Sequence, residues 1–518
     1  MASTFLASVG CDGPADRLTL HPASAMVRIG GPSGIATPPA GDSYALALAG
    51  NESEGFQVRA TRPPGSRRPL AVSVKVEKEG PPSPHGYEPT VTVYQVLALR
   101  HPGPADHPAF KVPKRNVGWI PDVCWPTATA AAQPHEPDAV TFLFDVHAPP
   151  IDASRGSASV AYRLSFSHAD APAGAPAAKL RLTATVHALN VPKRLPFKTA
   201  VTWNWHIDKY LGRKLTEAER AAYLDFFGRH RFTPASFWSV GPDMSEAEVK
   251  RVLANGGNVF QLFGRGGRRR LNDKQKQALA PKLRSWREMM KKAGALDYCY
   301  ALVADEPKEE HIPNIRDTAA WLKGLFPELK IWVATTPRKD LLDVVDCWDV
   351  VTAASTKLYA EHCHSDAGAA LARGAPNKPE YWWFYSVEPY APHANARLDD
   401  ALVDSRAIGW MSFAAGVDGF EYFWATDWAA NADLRDVPWP TKAAKWKTGL
   451  SGAGQLCYPD DDGLPIPSLR LINLRDGMED WAVFHQAGPA LRNGKPAEVR
   501  DARGLSELRQ AADAVLRP

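Results

Sequence analysis

The sequence predicts a multidomain β plus α/β protein: an N-terminal β-sandwich over residues 1–195, then a (β/α)8 TIM barrel over residues 196–518 with an insertion after its eighth strand. Three observations predict it. The chain has 518 residues, more than one hydrophobic core usually serves. Up to Leu195 it alternates apolar and polar residues with period two between Pro/Gly turns. Beyond Leu195 short apolar runs alternate with longer amphipathic stretches, the grammar of parallel strands joined by crossover helices.

The sandwich strands are read from "AMVRIG", "YALALAG", "GFQVRAT", "LAVSVKVEKEG", "TVTVYQVLAL", "AVTFLFDVHA", "SVAYRLSFS" and "KLRLTATVHAL". A β-only unit of this kind carries no function by its fold alone, so its expected role is support. The connector "LNVPKRLPFK" ends it. The barrel strands are then "TAVTWNW", "PASFWSV", "NVFQLFG", "YCYALVA", "KIWVAT", "WDVVTA", "EYWWFYSV" and "GFEYFW". Roughly eight such units close a barrel. Two intervening helices announce themselves with capping boxes, Thr216 with Glu219 and Ser245 with Glu248. After the last strand, "PWPTKAAKWKTGLSGAGQLCYPDDDGLPIPSLRL" reads as the insertion, before a closing helix near "RDGMEDWAVFHQ".

Composition narrows the partners. With 45% hydrophobic and 23% charged residues and no apolar run of spanning length, a membrane span is not expected. A net charge of +4 from 61 basic and 57 acidic side chains argues for no nucleic acid. The six cysteines form no C-x-x-C spacing, and "EHCH", with His362 and His364 around Cys363, lacks further ligands, so no metal or cofactor is expected. The start lacks a basic n-region and a sustained apolar core. The expected compartment is cytoplasmic if Met1 is native, and secreted or periplasmic if a signal has been removed. Oligomeric state has no sequence signature here.

Barrel enzymes carry their chemistry on the loops after the strands. There, after strand four, "YCYALVADEPKEE" ends a buried strand in two adjacent carboxylates, Asp305 and Glu306, and a proline. Strand neighbours point to opposite faces, so both converge on one ligand only where the backbone kinks or bulges. The plainer alternative is that one of them caps the following helix. The second signal is aromatic. Of 17 tryptophans many fall at predicted strand ends, and flat rings with polar handles suit the C–H faces of a sugar. Trp203, Trp205, Trp238, Trp382, Trp383, Tyr385, Tyr422, Trp424 and Trp428 form the candidate set, about half of which must face outward by alternation. Asn204 and His206 after strand one and Asp427 after strand eight are placed to bond sugar hydroxyls, or to cap their loops. The basic loop "FGRGGRRRLNDKQKQ", with Arg265, Arg268, Arg269 and Arg270, lies on the rim after strand three, either as a site for a sulfate or other anion or as a solvated loop.

Four stretches, "ADEP", "EGFQVRA", "DGFEYFWATDW" and "IPSLRLINLRDGMEDW", together resemble the β-N-acetylgalactosaminidases of glycoside hydrolase family 123 and wider relatives that carry a domain of unknown function. The resemblance spans sandwich and barrel. It implies a retaining exo-glycosidase that releases β-linked N-acetylgalactosamine from a glycan or glycoconjugate by a substrate-assisted mechanism, with an adjacent Asp-Glu pair after strand four at its centre. In that chemistry Glu306 protonates the glycosidic oxygen and later activates water. Asp305 holds the 2-acetamido N–H while the acetamido oxygen attacks the anomeric carbon. Tyr385 or Tyr422 would hold that oxygen in line. Two alternatives stand beside it: double displacement by Glu306 and Glu388, the latter just beyond strand seven, and a non-catalytic glycan-binding protein on a former hydrolase barrel.

Overall fold

The computed structural model describes residues 18–30, 37–62, 69–81, 83, 87–103, 117–169, 176–204, 206–237, 239–265, 270–351, 379–390 and 393–487. Ten strands precede the barrel: β1 Thr19–Ser24, β2 Ser43–Gly50, β3 Ser53–Thr61, β4 Ala71–Glu79, β5 Thr90–His101, β6 Gly118–Pro126, β7 Thr129–Ala131, β8 Ala139–His147, β9 Ala158–His168 and β10 Ala178–Asn190. They form two five-stranded sheets, ordered β1-β3-β8-β5-β6 and β2-β10-β9-β4-β7. Period-two patterning does what it should in β10, where Leu180, Leu182, Ala184 and Val186 are buried. Phe56 and Phe144 stack at 5.1 Å, and Phe142 meets Phe166 edge-on at 6.0 Å, in the core between the sheets. Strand β3 departs from alternation, with residues 53–60 all buried. One of its faces meets the second sheet and the other lies against the barrel, where a Cβ on Gly55 would stand 3.8 Å from Ile472.

Eight parallel strands follow: β11 Lys198–Thr202, β12 Thr233–Ala235, β13 Phe260–Gly264, β14 Cys299–Asp305, β15 Lys330–Ala334, β16 Cys347–Val351, β17 Glu380–Tyr385 and β18 Gly419–Tyr422. Their hydrogen-bonded order is β12-β11-β18-β17-β16-β15-β14-β13, a barrel nearly closed between β12 and β13. The seam is bridged by a side chain, Gln261 Nε2 donating to Ser239 O. A Cβ on Gly264 would fall 2.1 Å from Phe237 O, so only glycine permits this approach. The helices are α1 Ile207–Leu211, α2 Glu217–Arg229, α3 Glu246–Ala254, α4 Asp273–Ala293, α5 Ile312–Leu325, α6 Leu402–Ala415 and α7 Leu469–Ala487. Both expected capping boxes are formed, with Glu219 and Glu248 returning to Thr216 and Ser245. Residues 335–346, between β15 and β16, make turns in place of a crossover helix. After β18 come two 3₁₀ turns, Ala429–Leu434 and Thr441–Ala444, and a hairpin, β19 Cys457–Pro459 with β20 Pro465–Pro467, before α7.

The barrel interior is filled by aromatic rings. Trp382 lies 5.1 Å from Tyr300 and 5.0 Å from Trp332, and Phe237 packs edge-on against Trp332 at 4.6 Å. Gly419 makes room for this layer, since a Cβ there would stand 2.6 Å from the Trp382 indole. Toward the N-terminal end Lys330 pairs with Glu380 at 2.6 Å, and the Tyr300 hydroxyl donates to the same carboxylate at 2.8 Å. The barrel is thus plugged below, and the cavity its described residues line lies at the C-terminal ends of its strands.

Buried ions tie the two domains together. Arg406 of α6 grips Glu54 of β3 at 2.7 and 2.8 Å and Asp480 of α7 at 2.6 and 3.0 Å. Arg475 holds Asp145 of β8 through two hydrogen bonds of 2.8 and 2.7 Å. Glu479 accepts from Ser53 N at 2.9 Å and from Arg231 at 2.7 Å. Asp122 of β6 accepts from Arg470 at 2.9 Å and from the Tyr458 hydroxyl at 2.6 Å. Each α7 charge in "LRLINLRDGMEDW" therefore belongs to this seam. Burial pushes the Asp145 carboxyl up, but its fork with Arg475 prevails and leaves it below the ordinary range. Asp476 is the exception: burial, with Glu54 and Glu479 adding to it, holds its carboxyl well above that range despite Arg475 and Arg406.

Candidate active site

Strand β14 delivers the carboxylate pair through irregular pairing. Its register slips against β13 between Gln261 and Phe263, and against β15 between Leu302 and Ala304. Glu306, next in the chain, has φ 41°, a left-handed conformation that a side chain adopts only under constraint, and its N–H is held by Ala334 O at 2.9 Å. The slip and the turn together replace the alternation of a regular strand, and both carboxyls line one cavity. Neither caps a helix: α5 starts six residues on from Glu306, behind a 3₁₀ turn at Glu309–His311.

That cavity has a volume of ≈ 170 Å³ and stands over the aromatic layer. Phe237, Leu302, Trp332, Phe384 and Phe423 give it apolar walls, and five carboxyl groups face it: Asp305, Glu306, Asp349, Glu388 and Glu421. Asp349 of β16 and Glu421 of β18 are 1% and 6% exposed. Burial drives both well above the ordinary carboxylate range. At Asp349 the Trp332 indole opposes the shift and the Asp305 charge adds to it; at Glu421 the Asp349 and Asp305 charges add. Trp332 Nε1 and Asp349 Oδ1 are both buried and each lacks a hydrogen-bond partner among the described residues. Sequence reading missed both acids. The available signal was a lone carboxyl inside an otherwise apolar strand, in "WDVVTA" and "GFEYFW".

The loops after β11 and β18 form one rim. His206 Nδ1 lies 2.7 Å from Asp427 Oδ1, and the His206 ring is 5.4 Å from Trp424. His206 and Trp424 both have left-handed backbones, φ 67° and 70°. Trp424 lies directly on Gly454, where a Cβ would be 2.0 Å from its indole nitrogen. Asn204 donates to Asp243, whose carboxyl burial holds above its usual range.

Three expected sugar contacts lie elsewhere. Tyr385 and Tyr422 alternate with the inward Phe384 and Glu421, so they face out from the barrel. Tyr385 packs on Phe420 at 5.3 Å. Burial pushes the Tyr422 hydroxyl up to about 12, and it looks toward Arg470, Arg397 and the Gly454 backbone. Trp428 is wholly buried, its N–H bonded to Cys457 O at 2.9 Å and its ring 5.7 Å from Tyr210. Trp203 joins that packing, 5.6 Å from Tyr223, and Trp383 belongs to the same outer core. Of the basic loop, Arg270 pairs with Asp317 of α5 at 3.3 Å. Trp205, Trp238, Arg268, Arg269, His362, Cys363 and His364 lie outside the described residues. Among the described residues no three His, Cys, Asp or Glu side chains are grouped to hold a metal ion, and no helix is long and apolar enough to cross a membrane.

Comparison with known proteins agrees with this architecture. The family model described as "Glycoside hydrolase 123, catalytic domain" matches residues 232–487. The structure is similar to that of a family 123 glycoside hydrolase from Clostridium perfringens, studied for glycolipid glycan hydrolysis. The TM-score is 0.63 at 9% identity, over 96% of this chain and 97% of that one. Two weaker likenesses are to the N-terminal domain of PorA (TM-score 0.18, 10% identity, 34% of this chain and 100% of that one) and to a PapD-like domain of human CEP192 (0.17, 7%, 37% and 99%). They carry no argument. No curated protein matches the chain.

Proposed function

The chain belongs to glycoside hydrolase family 123, matched through residues 232–487, and within that family we propose that it is a retaining exo-β-N-acetylgalactosaminidase using the substrate's own acetamido group as nucleophile. The observation that carries this reading is the convergence of Asp305 and Glu306 on one cavity wall, achieved by a slipped register and a left-handed residue. Glu306 donates its proton to the glycosidic oxygen as the C1–O bond breaks. The acetamido oxygen forms the new bond to C1, and Asp305 accepts the acetamido N–H and offsets the positive charge of the ring that closes. Water then attacks C1 as the bond from C1 to the acetamido oxygen breaks, and Glu306 takes a proton from that water, so the configuration is retained. A cavity blocked below by Trp332 and Trp382 suits a terminal sugar, and Phe384 and Phe423 suit its C–H faces. Asn204, His206, Trp424 and Asp427 would meet its hydroxyls or the leaving group at the rim. The Clostridium perfringens relative makes a glycolipid glycan a reasonable physiological class to try.

The double-displacement reading keeps one specific support: Glu388 lines the same cavity. Hydrolysis of chromogenic β-glycosides separates the two, comparing 2-acetamido galactosides and glucosides with their 2-hydroxy counterparts. Substrate assistance requires activity confined to the 2-acetamido sugars and strong inhibition by a thiazoline mimic of the closed intermediate. Covalent labelling of Glu388 by a 2-fluoro sugar, seen by mass spectrometry, would overturn it.

A further inference from the structure

The strand order fixes where the two ends of a seated sugar lie. In the order β12-β11-β18-β17-β16-β15-β14-β13, strands β17, β16 and β15 separate β18 from β14 on one side, and β11, β12 and β13 separate them on the other. The loops after β14 and β18 therefore stand opposite one another across the barrel mouth. Both reach the cavity, Glu306 after β14 and Phe423 after β18. General-acid catalysis requires the glycosidic oxygen, and with it C1, within hydrogen-bond reach of Glu306. C1 and C4 occupy opposite corners of a pyranose ring. A terminal sugar lying over the aromatic layer thus turns its C4 edge toward the loops after β18 and its neighbour β11.

Those two loops carry a prebuilt surface. Phe423 stacks on Trp424 at 4.4 Å, Trp424 lies 5.4 Å from the His206 ring, and His206 Nδ1 is 2.7 Å from Asp427 Oδ1. The apolar cavity wall thus passes into a polar pair at the rim. Backbone hydrogen bonds hold the pair in place: Ala425 N donates to Thr202 O at 2.9 Å, Asp427 N to Gly454 O at 2.8 Å, and Gln455 Nε2 to Asp427 O at 2.8 Å. The Thr426 hydroxyl donates to Trp203 O. The left-handed backbones of His206 and Trp424 are the strain that this arrangement carries. A carboxylate at Nδ1 keeps that nitrogen protonated, which leaves Nε2 of the neutral imidazole an acceptor. The His206 and Asp427 side chains are 26% and 35% exposed, within reach of a ligand.

Resting on the glycosidase reading of this cavity, we propose that His206 is the specificity-determining residue for the 4-hydroxyl of the terminal sugar, and that Asp427 is the positioning residue that holds its ring. The 4-hydroxyl is where galacto and gluco epimers differ. Moved between axial and equatorial, it leaves the reach of a ring fixed by its partner.

The test uses the full chain and chromogenic β-glycosides, 2-acetamido and 2-hydroxy, that carry the 4-hydroxyl axial, equatorial or not at all. In the wild type, removing the 4-hydroxyl from the preferred epimer should cost about 10–10²-fold in kcat/KM, as loss of a hydrogen bond to a charged pair does. His206→Gly removes the ring and suits the left-handed backbone. In it and in Asp427→Ala, kcat/KM on the preferred epimer should fall, while the 4-deoxy penalty shrinks to about twofold and the ratio between epimers shrinks with it. A merely structural role would lower activity and leave that penalty intact. Persistence of the penalty in both folded variants overturns the assignment, as does its collapse in Glu388→Ala instead. If His206→Gly does not fold, Asp427→Ala decides, and a wild type indifferent to the 4-hydroxyl overturns the proposal without any variant. A wild type that cleaves only 2-hydroxy glycosides, with a 4-hydroxyl penalty that collapses in the variants, sinks substrate assistance and supports this inference. One that cleaves only 2-acetamido glycosides, equally with and without the 4-hydroxyl, does the reverse. One that cleaves no glycoside overturns both.

Discussion

Asp122 and Asp349 are both strand aspartates, 0% and 1% exposed, and their surroundings differ completely. Asp122 lies between sandwich and barrel with Arg470 at 2.9 Å, the Tyr458 hydroxyl at 2.6 Å and Arg28 at 3.9 Å. Asp349 lies in the barrel mouth with a tryptophan and two further acids, and no arginine or lysine among the described residues lines that cavity. The same contrast runs through both sets: Glu54, Asp145, Glu479 and Asp480 are each held by an arginine, whereas among the described residues Glu421 has only Thr202. Burying a charge is costly unless it is paired. A seam that answers each acid with a guanidinium is built for cohesion. A cavity that leaves Asp349 and Glu421 without a guanidinium among the described residues gives up stability at the proposed site.

The comparison can be broken at either end. The largest expected effect is at the seam, where Arg470→Ala strands Asp122 and should cost about 3–5 kcal/mol in urea unfolding. A loss below 1 kcal/mol would show the network to be dispensable. Next is Asp305→Ala, which should lower kcat by about 10²–10³-fold with no loss of unfolding free energy. A destabilised Asp305→Ala would place that residue with the structural acids.

The third test uses pH, and the two regions should respond with opposite sign. The Asp145 carboxyl is held low, so its contribution is present above the unfolded-state carboxylate range and lost as pH falls through the folded value. Asp145→Asn should therefore destabilise at neutral pH, and less so in acid. The Asp349 carboxyl is held high, so the folded state keeps a proton that the unfolded chain releases, and stability declines as pH rises from the unfolded carboxylate range toward the folded value. Asp349→Asn should remove that decline, a relative gain of up to about 1.4 kcal/mol per pH unit. Parallel stability curves for wild type and Asp349→Asn would remove the distinction. The smallest effect belongs to Tyr422→Phe. Because that ring faces away from the cavity, kcat/KM should stay within about twofold and stability within about 1 kcal/mol; a large fall in kcat alone would return the hydroxyl to the site.

The resemblance to family 123 drew on "IPSLRLINLRDGMEDW" and "EGFQVRA", and neither stretch meets the cavity. Arg470, Arg475, Glu479 and Asp480 join Asp122, Asp145, Ser53, Arg231, Arg406 and, through Arg406, Glu54. In this chain those two stretches are thus in good part the interface between sandwich and barrel. The "DGFEYFWATDW" stretch is mixed: Glu421 and Phe423 face the cavity, Tyr422 and Trp428 are packing residues, and Trp424 and Asp427 are on the rim.

What the sequence determined by itself is local. Period-two patterning specified the sandwich strands, S/T-x-x-E spacing specified where α2 and α3 begin, and the break from apolar strand to Asp305-Glu306-Pro307 marked the end of β14, because each depends on residues within a few positions of one another. Tertiary structure decided which side chains share a space. Whether Tyr385 or Phe384 faces inward turns on strand phase and on a one-residue slip that reverses it, and the trio of Asp305, Asp349 and Glu421 exists only because barrel closure brings β14, β16 and β18 around one cavity. The raised carboxyls of Asp349 and Glu421 follow from that meeting, since the field of one carboxyl on another acts through space and the water that would screen it is excluded only once the chain has folded.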